Sequence, residues 1–392
     1  MKSSDMLMRY STSSHGALLK GVSKCRVTAE IANFEGAKAV SVIRMSALTK
    51  LGIAWCALAA IIPGQSLGQT LRKVGFIDLP GPKGQRFDYL TMDAEDHYLL
   101  SAHLGPGILY VIDVRSNSLV RAIPGVPGIT GVEYVPGLRK VYTSDWGEEK
   151  IGVVDLKQMK VVKRLPTAEK PNGSTYATEF GKVYVSNTNG KAVTVVNVGT
   201  DQVVKTLDFN SETGMPQYDF IARKVYVNLR STNEIVSIDP SNDAIVERYA
   251  VAGCQYNHGM AIDSAHHRAF LLCGGNRTLT VLALDTREAL AHLPLPQGAD
   301  VVKYDPGLGR VYAACASGFI SIFQEDDAAE DDAAHFRKVE DFPVQKLVHS
   351  LAVDAATHRV YAPEQQEEGQ PVARIVIYEP SVPFIKTTSA TG

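Results

Sequence analysis

Three histidines and four carboxylates could do chemistry if a fold gathered them: His103, His258, His349, Asp88, Asp145, Asp300 and Glu364. Neutral imidazoles with carboxylates suit a divalent metal ion, and they equally suit acid–base work. The tightest metal candidate within the set is His258, Asp300 and His349, which would hold one divalent ion. Arg86, Tyr89, Trp146, Tyr176, Arg230, Tyr256, Asn257 and Gln365 stand beside these positions. Aromatic and arginine groups around a polar site suit a small anionic or sugar-like ligand. The set is spread from residue 88 to residue 364, so any joint chemistry depends on the elements that position it.

Those elements are set by a repeat. A four-residue pattern returns as His97-Tyr98-Leu99-Leu100, Arg139-Lys140-Val141-Tyr142, Gly181-Lys182-Val183-Tyr184, Arg223-Lys224-Val225-Tyr226, His267-Arg268-Ala269-Phe270, Gly309-Arg310-Val311-Tyr312 and His358-Arg359-Val360-Tyr361. With the last residue of each copy as anchor, the positions are 100, 142, 184, 226, 270, 312 and 361, a spacing of 42 to 49 residues. A period in the low forties with short β-branched runs signals a β-propeller. Seven residues before the anchor, five copies carry an aspartate (Asp93, Asp219, Asp263, Asp305, Asp354), which is turn chemistry. After the anchor comes a Gly/Asn-rich turn. A run such as Gly152-Val153-Val154-Asp155 follows, then a fourth run such as Val161-Val162-Lys163-Arg164-Leu165. Four short strands per period make one blade.

Seven anchors predict an all-β, seven-bladed propeller of four-stranded antiparallel blades over residues 70–380. The last repeat supplies Ala373–Tyr378 as a third strand but no fourth, while Leu71–Pro80 reads as an orphan strand ahead of the first repeat. Pairing them closes the ring and removes two exposed sheet edges.

The repeat also predicts where the chemistry-bearing residues go. Twelve positions before the anchor, at the start of the innermost strand, stand Asp88, Thr130, Asn172, Gly214, His258, Asp300 and His349. Three positions after it stand His103, Asp145, Asn187, Leu229, Cys273, Cys315 and Glu364. Both rings are expected at one mouth of the channel, which would bring the seven candidates into one funnel. A solvated channel lined by polar side chains, without a specific ligand, accounts for the same pattern. His266, His267 and His358 fall in turns at the opposite face, as solvent-exposed turn residues.

The runs Lys182-Val183-Tyr184-Val185-Ser186-Asn187 and Lys224-Val225-Tyr226-Val227-Asn228 resemble the YVTN-type repeats of YncE-like propeller proteins, over about residues 70–380. The resemblance implies a seven-bladed, exported protein and specifies no chemistry.

The chain of 392 residues is 45% hydrophobic and 21% charged, with net charge −2. That is a globular profile, without the basic stripe of a nucleic-acid binder. Residues 45–69 read as a signal peptide: Lys50 precedes the uncharged apolar run Leu51–Ile62, and small residues follow from Pro63 to Gln69. Cleavage there implies a periplasmic or secreted protein with no stable membrane span. Residues 1–44 are a leader or lie upstream of a true start at Met45, and 381–392 form a tail. Of five cysteines, Cys254, Cys273 and Cys315 remain after cleavage, an odd number. Cys273 and Cys315, at one repeat position in adjacent blades, are read as small buried thiols, with a disulfide between them as the alternative. The acidic run Glu325–Asp332 reads as a solvated hairpin loop rather than a calcium loop, because it lacks spaced ligands and a glycine.

No nucleophile motif, phosphate loop or haem-attachment motif occurs. The sequence therefore predicts an exported propeller that binds a protein or small-molecule partner at its channel mouth or a flat face. A metal-assisted lactonase- or lyase-like enzyme in the funnel is the alternative.

Overall fold

A computed structural model describes residues 70–325 and 335–381; the expected leader, signal segment, acidic residues 326–332 and tail from 382 lie outside these. Among the described residues, every regular element but one is a strand, and the strands form seven four-stranded antiparallel sheets. Blade two shows the pattern, with strands Ile129–Val135, Lys140–Asp145, Lys150–Asp155 and Lys160–Pro166. Blade seven takes its outer strand from the chain start: Leu71–Asp78 pairs antiparallel with Gln370–Pro380, Leu71 opposite Pro380 and Asp78 opposite Arg374. The acidic run falls where blade six turns from its third strand, ending at Glu325, to its fourth, starting at Phe336.

The repeat motif has a local and a long-range cause. Locally, its first residue is left-handed in all seven copies, with φ from 50° to 61° at His97, Arg139, Gly181, Arg223, His267, Gly309 and His358. The preceding aspartate closes the same turn: Asp93 accepts the Glu95 amide at 2.9 Å and Asp219 that of Ile221 at 2.9 Å. Blade three, with Ala177 in place of the aspartate, makes a 3-10 turn at Thr178–Phe180 instead. At long range, the Lys and Tyr of blades two and three grip an aspartate of the next blade. Tyr142 donates to Asp201, and Lys140 Nζ sits 2.7 Å from it. Tyr184 and Lys182 hold Asp243 in the same way, with the ammonium at 2.8 Å. Blade one has Leu100 as its anchor, and there the gap is filled by packing: Leu100 lies in a cluster with Val141, Val154 and the half-buried Met159.

The core is a set of layers between blades rather than one centre. One cluster joins Leu109 and Val111 of blade one to Val132 and Val141 of blade two. Another joins Ile77 and Ile375 of blade seven to Leu99 and Ile112 of blade one, completing the ring.

Two expectations are corrected. Cys273 bonds Cys254, with Cα atoms 5.3 Å apart, and Cys315 is the buried free thiol. The partner lies within the blade: the loop leading into blade five passes the end of its second strand, where Asn257 pairs with Cys273. The turn histidines are not simply solvent-exposed. His358 Nδ1 reaches the fully buried Asp305 of the preceding blade at 2.9 Å, His267 reaches Asp219 at 3.5 Å, and His266 lies 2.6 Å from Asp263. His358 and His267 tie neighbouring blades together on that face, whereas His266 is exposed as expected and holds the aspartate of its own turn.

Candidate functional site

Three repeat positions build the channel mouth. The first is the start of the innermost strand. In blades two to six the ladder slips there, between Ile129 and Val132 and at the matching places of the next four blades. Such bulges re-aim a side chain at a sheet's rim. The inner strands also crowd together: a Cβ on Gly131 would lie 2.1 Å from the Asn172 carbonyl oxygen. The bulge directs Asn172, His258 and Asp300 into a cavity of about 300 Å³, which Asp88 of blade one also lines.

The second position lies two residues earlier and supplies Arg86, Lys170, Glu212 and Tyr256. Lys170 and Tyr256 hold left-handed backbone, φ 55° and 56°, where blades two and six place Gly128 and Gly298. A non-glycine residue there costs of order 1 kcal/mol. The third position, four residues after the anchor, supplies Trp146, Thr188 and Arg230.

The sequence-predicted residues divide accordingly. Asp88, His258 and Asp300 share the mouth cavity. His349 lines an adjoining cavity of about 290 Å³ with Arg86, Asp300 and Gln365. His103, Asp145 and Glu364 are buried between sheets and line neither cavity. The cause is strand alternation: the ring expected three residues after the anchor faces the core, and the residue after it faces the mouth. His103 stacks on Phe87 with ring centroids 3.9 Å apart and lies 3.2 Å from the Tyr110 hydroxyl. Burial holds it neutral, with a pKa of about 4. It props the loop that carries Arg86 and Asp88. Burial pushes the Asp145 carboxyl up to about 7 and raises that of Glu364 as well. Of the expected neighbours, Tyr176 and Asn257 stand outside the cavity. Lys170, Asn189 and Glu212 were missed; Lys170 and Glu212 share the repeat position of Arg86 and Tyr256, which was the available signal.

The electrostatics sort these groups into paired and unpaired. Arg86 bridges Asp88 at 3.1 Å. Burial raises the Asp88 carboxyl, against the pull of His349 and Arg86. His258 Nε2 lies 2.9 Å from Asp300 and 3.4 Å from the Tyr89 hydroxyl. Burial opposes ionisation of Asp300, but the His258 hydrogen bond and the charges of His258, His349 and Arg86 outweigh it, and the pKa falls to about 2. Glu212 accepts the Tyr256 hydroxyl at 2.9 Å. Lys170 lies over Trp146, 4.7 Å from the ring centroid, and Arg230 over Tyr256 at 4.4 Å. Neither cation has a carboxylate partner among the described residues. The mouth thus presents two aromatic-backed cations, amides from Asn172 and Asn189, and an ionised Asp300.

His258, Asp300 and His349 are neighbours, but among the described residues the one trio with ligand atoms all within 4.8 Å is Asp263, His266 and Glu325, at the opposite face. Glu325 there is already held by Arg268 and by Tyr304 at 2.7 Å.

No family model and no curated protein matches the chain. Solved structures do. The WD40 repeats of RRP9 align with a TM-score of 0.65 at 12% identity, covering 79% of this chain and 98% of that one. Kuenenia stuttgartiensis hydrazine synthase aligns with a TM-score of 0.65 at 14% identity, covering 78% and 97%. U3-55K aligns with a TM-score of 0.65 at 12% identity, covering 80% and 98%. At such identities the likeness is one of fold, and it makes this chain a seven-bladed, WD40-like β-propeller.

Proposed function

We propose that this protein is an exported, YVTN-type binding propeller whose channel mouth captures a small sugar-like organic acid. One observation carries the reading: Lys170 and Arg230 line the mouth, backed by Trp146 and Tyr256, with no carboxylate partner among the described residues, and Lys170 and Tyr256 enter it from left-handed positions filled by glycine in blades two and six and by Leu347 in blade seven. Lys170 and Arg230 would take the ligand's anionic group, Trp146 and Tyr256 its ring face, and Asn172 and Asn189 its hydroxyls. A cavity of about 300 Å³ suits a monosaccharide-sized guest. The Cys254–Cys273 disulfide supports export, because such bonds persist in oxidising compartments.

Calorimetric titration with D-glucuronate, D-gluconate and D-glucose tests this. The acids should bind saturably and glucose at least tenfold more weakly; Arg230→Met should abolish the difference. Equal or absent binding of all three refutes the reading. The metal-assisted enzyme remains the alternative through His258, Asp300 and His349. Stoichiometric metal in protein purified without chelator, lost in His349→Ala, would favour it.

A further inference from the structure

Below the mouth the channel holds a second compartment of about 200 Å³, lined by Tyr89, Thr91, Glu133, Ser174, Thr175, Gln217 and Lys303 among others. Thr91, Glu133, Thr175, Gln217 and Lys303 in its walls share one repeat position, nine residues before the anchor, where the other two blades carry Ala261 and Ala352. Five of the seven are neutral. The two charged ones, Glu133 and Lys303, stand in blades two and six, well apart around the ring of seven.

The two do not form an ion pair, though each lies within the other's electrostatic reach. Glu133 is held in place by the Tyr176 amide, which donates to its Oε1 at 3.0 Å. Lys303 Nζ makes no hydrogen bond or ion pair among the described residues. Burial pushes the Glu133 carboxyl up to about 8 and draws the Lys303 amine down, so each charge is costly as it stands. A bound ammonium would favour the ionised Glu133 and a bound carboxylate the charged Lys303, so a ligand carrying both would relieve the burial cost on each side.

We propose that this compartment binds a small zwitterion of the free amino acid class, its carboxylate on Lys303 and its ammonium on Glu133. The hydroxyls of Thr91, Ser174 and Thr175 and the amide of Gln217 take its remaining polar atoms. The site is separate from the mouth in composition, with Tyr89 lining both.

The test is calorimetric titration of the mature protein with glycine, L-serine and γ-aminobutyrate, three zwitterions of differing size and charge separation. Acetate and methylammonium serve as single-charge controls. At least one zwitterion should bind saturably, each control at least tenfold more weakly. Lys303→Met and Glu133→Gln should each weaken zwitterion binding at least tenfold, while Arg230→Met at the mouth leaves it unchanged. Failure of all three zwitterions overturns the proposal. So does binding that survives both channel substitutions, or that is lost only in Arg230→Met. Should the channel variants not fold, a wild-type crystal soaked in the tightest-binding zwitterion decides. Density joining Lys303 to Glu133 supports the assignment; an unoccupied compartment under saturating ligand refutes it.

Discussion

Where blade two meets three and three meets four, the chain says the same thing twice. Tyr142 with Lys140 grips Asp201, and one blade further on Tyr184 with Lys182 grips Asp243. Around the channel mouth it varies from blade to blade: Arg86, Gly128, Lys170, Glu212, Tyr256, Gly298 and Leu347 occupy one repeat position, with glycine alone used twice. In these two forks of the inter-blade belt the tyrosine, the lysine and the aspartate are all partnered. At the mouth two cations lack a carboxylate partner among the described residues, and Lys170 and Tyr256 are left-handed, as the first residue of the belt motif also is. The contrast separates the groups that hold the ring from those it displays.

The largest effect should come from breaking the belt. Tyr184→Ala removes a fully buried ring and a bond to a carboxylate, and should cost about 3–5 kcal/mol in denaturant unfolding. Tyr184→Phe, which loses only the bond, should cost about 1.5–3 kcal/mol. A loss below 0.5 kcal/mol for the Phe variant, roughly the scatter of surface substitutions, would mean the fork contributes nothing.

Breaking the mouth should spare stability. Arg230→Met should leave the unfolding free energy within about 1 kcal/mol of wild type, as for surface substitutions, and remove discrimination between glucuronate and glucose. A destabilised variant with intact discrimination would reverse the roles assigned to the two regions.

Solution pH sharpens the contrast in a third way. Burial raises Asp145, between blades, to about 7 and Glu133, in the channel, to about 8. A carboxyl whose folded pKa lies above its unfolded value holds its proton more tightly in the folded chain. Its contribution is complete below about pH 4 and fades as pH rises through the folded pKa. Stability should therefore fall between about pH 4 and 8, and Asp145→Asn should flatten the lower part of that slope. A slope of unchanged steepness in the Asn variant would remove Asp145 from the account.

The smallest effect is conformational. His97, exposed and left-handed with φ 57°, opens the repeat where two other copies use glycine. His97→Gly should stabilise by about 0.5–1 kcal/mol, readable as a shift of the unfolding midpoint.

The belt was legible in the sequence because its causes are local and repeated. The aspartate turn and the four-residue motif recur at fixed offsets, whereas the Lys–Tyr fork forms in two blades and was not read from the sequence. The mouth was legible only in part. Asp88, His258 and Asp300 were placed together by their shared offset. The second ring was set one residue off, and on a strand that exchanges the core face for the mouth, which is why His103, Asp145 and Glu364 lie between sheets. Lys170 and Glu212 precede the strand and carry no strand pattern, so only alignment with Arg86 and Tyr256 could have exposed them. The Cys254–Cys273 bond was out of reach, since Cys254 lies in a loop outside the repeated strand positions.

The central claim is that mouth side chains are kept for a ligand against the preference of the backbone, and Lys170→Gly tests it most directly. Unfolding and glucuronate titration should be measured on the same variant. The account predicts unchanged or slightly higher stability, by up to about 1 kcal/mol, together with at least tenfold weaker glucuronate binding. A variant that is less stable by more than about 1 kcal/mol while binding glucuronate as the wild type does would show that Lys170 serves the fold, and would contradict the account.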